Sequence, residues 1–148
     1  MNAYVRALRL ERWPRSTAIF LGSSGFFFLH RDFLAAFEPE TILFRLALSF
    51  LLTWGISTVN YVVNEIVDVP YDVHHPVKRH RPLVRGEINR TVFMLLGFLL
   101  TLLSFGTAAA AFSRPFFLSL LSLLAAGFIY NVRPLRAKDI PFLDSICE

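Results

Sequence analysis

From Thr91 to Ser113 the chain runs 23 residues without a charged side chain. Wound as an α-helix, that run reaches about 34 Å, enough to cross a hydrocarbon core of about 30 Å. Two more runs repeat the pattern: Pro115 to Val132, which opens with a proline at a tolerated helix start, and Leu46 to Asn64. Ser16 to Leu29 is shorter, and spans only if its helix continues to about Phe37, with His30, Arg31 and Asp32 at the far interface. A secretory signal peptide is the competing reading of this first segment, but no small-residue cleavage pattern follows its apolar core. The expected architecture is therefore all-α: a polytopic transmembrane helical bundle with spans over about 16–37, 41–63, 91–113 and 115–131. Composition agrees, since 55% hydrophobic residues, 16 of them Phe, are too many for a soluble domain of 148 residues to cover with polar side chains. The lone Cys147 rules out an intrachain disulfide.

The charges between these spans alternate in sign. Arg6, Arg9, Arg12 and Arg15 precede the first span; Lys78, Arg79, Arg81, Arg85 and Arg90 fill the second loop; Arg133, Arg136 and Lys138 follow the fourth. The first loop sets Arg31 against Asp32, Glu38 and Glu40, and the third has only Arg114. Because basic residues are retained inside, this pattern predicts a multi-pass protein with both termini and the long second loop in the cytoplasm. The same bias explains the net charge of +4 without nucleic acid, and no aromatic platform is interleaved with the basic loop. Gly22, Gly25, Gly97 and Gly106 fall within spans, where small residues let helices approach closely.

The chemistry is concentrated where the second span leaves the membrane. Asn64, Asp68 and Asp72 recur every four residues, which sets their oxygens along one side of a helix. Oxygen ligands of this kind suit Mg2+, which is commonly held by one or two carboxylates while it bridges phosphates. His74, His75 and His80 lack a recognised zinc spacing and read as interfacial, solvated side chains. Without further context, the acidic cluster is equally a solvated helix end whose carboxylates pair with adjacent Lys and Arg. Pro70 cannot donate a backbone hydrogen bond, so the helix should kink or end near Val69 and disturb the single face.

The order Asn64-Glu65-x-x-Asp68-x-x-x-Asp72, then a basic stretch and Arg81-Pro82-Leu83-x-x-Gly86, resembles the first motif of the UbiA family of intramembrane prenyltransferases. Arg12-Trp13-Pro14-Arg15 before the first span, and Tyr130-Asn131 leading to Arg136-Ala137-Lys138 after the fourth, look like the same family. Glu65 stands where Asp is commoner. Pro134 stands where relatives often carry Lys, so that Lys138 arrives four residues later.

The resemblance implies a bundle of about nine spans with a second Asp-rich motif, of which this single partial domain would be the N-terminal half. On that expectation the chain is a fragment, works with a partner supplying the missing C-terminal half, or has lost catalysis. Half a bundle would also leave Asn60 and Asn64 without their neighbours. The implied reaction transfers a polyprenyl group from its diphosphate to an acceptor. Asp68 and Asp72 would be catalytic, with Asn64 completing the Mg2+ ligands. Asn64, Lys78, Arg81, Tyr130, Arg136 and Lys138 would bind substrate. The stretch His75-Pro76-x-Lys78-Arg79-x-Arg81-Pro82 looks particularly like the decaprenyl-phosphate phosphoribosyltransferase branch, which delivers phosphoribosyl from its diphosphate to a polyprenyl phosphate. A non-enzymatic transporter half or assembly subunit, with Arg45 lining an interior path, is the alternative from another class, although snorkelling to the interface explains Arg45 more simply.

Overall fold

A computed structural model describes residues 3–10, 17–29 and 38–140. Among the described residues five α-helices follow one another: α1 (Ala3–Leu8), α2 (Ala18–Leu29), α3 (Pro39–Asp72), α4 (Arg90–Ala111) and α5 (Arg114–Asn131), with 3-10 turns at Lys78–His80 and Ala137–Asp139. No strand occurs among the described residues. The chain is thus an all-α bundle, and α3, α4 and α5 are each long and apolar enough to cross a bilayer. Of the four expected spans, the first falls on α2, and its expected continuation through 30–37 lies outside the described residues, as does Arg12-Trp13-Pro14-Arg15.

Local chemistry sets the helix boundaries. Pro39 and Pro115 sit in the first turns of α3 and α5, where a missing N–H costs nothing. Asn89 caps α4, its side chain accepting from the backbone N–H groups of Thr91 (2.8 Å) and Val92 (3.2 Å). One boundary departs from expectation: α3 does not end near Val69 but runs through Pro70 to Asp72. Proline there removes one hydrogen bond in the last turn, where the carbonyls are already open to other partners, so the disruption stays local. With 34 residues, α3 is about 51 Å long and outreaches the hydrocarbon core, which carries its final turns out of the apolar layer.

Helix α3 is the central element and packs against both α4 and α5. One core cluster, near the loop end, joins Val62 and Phe93 to Leu83 and Ile88 of the long loop and to Ala7 of α1. The other joins Leu52 and Ile56 to Ala108 and Leu120, edged by Phe105, Phe112 and Phe116. Leu95, Leu99, Leu103, Leu118 and Leu121 face outward, as lipid requires of a helix that is apolar all round.

Close helix approaches occur at Gly97, Gly55 and Gly127. A Cβ on Gly97 would stand 3.0 Å from Val62, one on Gly55 2.9 Å from Ser104, and one on Gly127 2.0 Å from the Asn60 amide. Gly22, Gly25 and Gly106 face open space. Of the four glycines expected to serve close packing, only Gly97 does so within the described residues. Asn60 uses the room at Gly127 to donate to the Leu123 carbonyl at 3.0 Å, so it does find a partner within this chain. Its Oδ1 stays buried without one.

Candidate active site

The final turns of α3 carry Asn64, Glu65, Asp68 and Asp72, and two segments close over them, the loop that follows α3 and a stretch beyond α5. The loop after α3 is held by its own apolar residues: Leu83 and Ile88 are buried against Val62 and Phe93, and Gly86 turns the chain at a φ of 70°. That anchorage sets Arg81, extended at the end of the Lys78–His80 turn, between two acids. Its Nη1 pairs with Asp72 Oδ2 and stands 3.5 Å from Glu65 Oε2. Arg9, just beyond α1, reaches Glu65 from the other side at 3.5 Å. Helix α1 is itself fastened to the loop by Arg6 on Glu87 (2.8 Å) and by the Tyr4 hydroxyl, which accepts from Asn89 N–H (3.1 Å).

The second segment follows α5. Arg136 adopts a φ of 28°, a left-handed conformation that costs a non-glycine residue energy, and the Ala137–Asp139 turn then brings Lys138 back over α3. The Lys138 ammonium donates to Asp68 Oδ1 (2.6 Å), Asn64 Oδ1 (2.8 Å) and Asn131 Oδ1 (3.2 Å), which accounts for all three of its protons. Arg136, only 7% exposed, donates from Nη2 to Asp68 Oδ1 at 3.1 Å. Its Nε lies 2.8 Å from Asp139 Oδ2, close enough for an ion pair but without hydrogen-bond alignment. The guanidinium also rests 4.1 Å above the Tyr71 ring, with Arg133 a second cation at 5.9 Å.

The fold therefore gathers Asn64, Asp68, Arg136 and Lys138 into one cluster, and Asp72 with Arg81 into a second. Glu65 adjoins the second, bringing in Arg9. Tyr130 is half-buried beside Asn131 at the end of α5, while Lys78 is exposed on its turn and joins no ion pair of either cluster among the described residues. Pairing of the acids with basic residues, one of the two readings of the motif, is present, but two of the cations come from about 70 positions downstream. Asn64 is accordingly not left without a neighbour. Sequence reasoning did not assign Arg9, Glu65, Tyr71 or Asn131 to the site. Glu65 and Asn131 lay inside the quoted motifs, whereas no local signal marks Arg9 or Tyr71.

Among the described residues the ion pairs of the site join Glu65, Asp68, Asp72 and Asp139 to Arg9, Arg81, Arg136 and Lys138. The ion pairs engage Oδ1 of Asp68 and Oδ2 of Asp72, one oxygen of each carboxylate. Among the described residues no three His, Cys, Asp or Glu side chains form a metal cage. His75 has a different task, its Nδ1 accepting from the backbone N–H groups of Val77 and Lys78, both at 3.2 Å.

A helical membrane bundle with an acid and base cluster at one end of its central helix is the class these features define. The sequence matches the UbiA prenyltransferase family over residues 18–147, and the chain belongs to that family. It is an integral membrane protein of a prenyltransferase class. No individual curated protein matches it.

Proposed function

We propose that the cluster at the end of α3 binds the diphosphate of a polyprenyl diphosphate, and that the chain serves transfer of the polyprenyl group to an acceptor. The observation that carries this reading is the convergence of Asn64 and Asp68 with Arg136 and Lys138, beside Asp72 with Arg81. Arginine offers a phosphate two parallel donors and lysine a mobile point charge. A cation resting on a carboxylate can turn to a phosphate oxygen without leaving the site, so Arg81, Arg136 and Lys138 are the diphosphate ligands in this reading. Lys78, exposed at the rim, would meet the phosphate on entry, and Tyr130 would border the acceptor side. Asp68 and Asp72 would then be the catalytic carboxylates.

The pairing of the cations with carboxylates also supports a divalent ion. Cations already paired with carboxylates keep less attraction for a multiply charged anion, and positive charge arriving with the substrate would offset this. Asp68 and Asp72 would hold Mg2+ through the oxygens outside their ion pairs, and Asn64 through the Oδ1 that Lys138 occupies, once that lysine turns to phosphate, a donor set that fits an ion content with one or two carboxylates and several waters. Bound there, Mg2+ would supply positive charge to stabilise the departing diphosphate. The positive-inside pattern supports a cytoplasmic location for this site.

Phosphoribosyl transfer to a polyprenyl phosphate expels the same leaving group, and the stretch from His75 to Pro82 favours it as the second reading. Calorimetric titration of the chain in nanodiscs with a non-hydrolysable polyprenyl diphosphate analogue tests the proposal. Binding should require Mg2+ and weaken roughly a hundredfold in the Asp68→Asn, Asp72→Asn variant, the loss of two charged ligands. Equal binding without Mg2+ or in the variant would overturn it. Tighter binding of phosphoribosyl diphosphate would favour the second reading.

A further inference from the structure

At the other end of α3 a cavity of about 930 Å³ opens among α2, α3 and α5, within the size range of lipid and cofactor sites. Its walls are largely apolar, with Leu46, Phe116, Leu120 and Leu123 among them, and Arg45 is its one charged residue among the described residues. Arg45 lies late in the second turn of α3, about 9 Å from the helix start, at the depth where a long side chain can lift its charge towards the interface. Unlike the cations at the loop end, it has no acidic partner among the described residues.

Thr41, Arg45, Ser49 and Thr53 recur every four residues along the cavity wall. Ser49, Ser23 and Ser119 spend their hydroxyl protons on carbonyls of their own helices, at 2.7–2.9 Å. Their oxygens remain acceptors, while Thr41 and Thr53 keep donors available to a guest. One fixed cation at the mouth, hydroxyls beside it and apolar walls below describe the complement of an amphiphile with a single negative charge.

We infer that this cavity binds an anionic phospholipid, its phosphodiester on Arg45 and Thr41 and an acyl chain along Leu46, Phe116 and Leu120. A phosphodiester carries the one charge that Arg45 can neutralise, and the walls continue into the outward-facing surface of α5 at Leu118 and Leu121, which a bilayer already bathes. The site does not depend on the chemistry assigned to the opposite end of α3.

Native mass spectrometry of the full chain, purified in detergent and offered equal amounts of phosphatidylglycerol and phosphatidylcholine, tests the assignment. Phosphatidylglycerol should be retained about fivefold over phosphatidylcholine, the preference expected of one basic residue at a membrane surface. Arg45→Gln should bring the ratio to about one, Arg45→Lys should keep most of it, and Asp68→Asn should leave it unchanged. Excess inorganic phosphate should not displace the lipid. Equal retention of the two lipids, a preference that survives Arg45→Gln, or displacement by inorganic phosphate would each overturn the inference. So would a chain that binds no lipid and self-associates through Arg45.

Discussion

The two ends of α3 handle charge in opposite ways. At the loop end, three carboxylates within eight residues are each met by at least one cation, and the two most deeply held cations come from beyond α5. At the other end, among the described residues, a single arginine lines a cavity that no acid lines. Ion pairing costs desolvation that mutual attraction must recover, and removing one partner exposes the full cost of the other. The loop end should therefore be sensitive to single substitutions, and the Arg45 end tolerant of them.

The largest effect is expected at Asp68. Asp68→Ala leaves the Arg136 guanidinium and the Lys138 ammonium together without their shared carboxylate, and should lower unfolding stability in detergent by about 3 kcal/mol, the low end for a broken buried pair. Asp139, Asn64 and Asn131 continue to hold the two cations, which is why the low end applies. Lys138→Met in the Asp68→Ala background should recover part of the loss, giving a coupling of at least about 1 kcal/mol in the double-mutant cycle. Additive losses would show that the two residues do not interact and would remove the contrast between the ends of α3.

A smaller effect sharpens the same comparison. Tyr71 contributes no charge, yet Arg136 lies on its ring. Tyr71→Leu should cost about 1 kcal/mol, whereas Tyr71→Phe, which keeps the ring face, should cost almost nothing. Reaction of Arg136 with phenylglyoxal, followed by peptide mass mapping, gives an independent reading: faster modification in the Leu variant and unchanged modification in the Phe variant. Equal rates in all three proteins would mean that the ring does not hold the guanidinium.

These contacts also separate what the sequence reveals from what it conceals. Charge-free runs locate α3, α4 and α5 because lipid tolerates few charges and demands satisfied backbone, a constraint written residue by residue. The face formed by Asn64, Asp68 and Asp72 follows from a spacing of four for the same local reason. The arrival of Lys138 on Asn64 and Asp68 is not local: it depends on a left-handed residue at Arg136 and on the Ala137–Asp139 turn. Asn60 against Gly127, and Arg9 on Glu65, likewise join residues far apart in the chain, and no periodicity announces them. Pro70 misled because its penalty falls in the last turn, where few helical bonds remain to be lost.

The smallest effect is at Arg45, and it discriminates most sharply. If its charge is not part of an ion pair, Arg45→Gln leaves no buried counter-charge behind, and unfolding stability in lipid-free detergent should change by less than about 0.5 kcal/mol, as for surface substitutions. In phosphatidylglycerol nanodiscs the same substitution should destabilise, because a ligand that binds only the folded state adds stability through mass action and the variant binds it more weakly. A loss of several kcal/mol in lipid-free detergent would mean that Arg45 has a structural partner, and the two ends of α3 would then be variations on one arrangement. A loss confined to the anionic bilayer would mean that pairing at one end is built into the chain, while at the other the membrane supplies the missing charge.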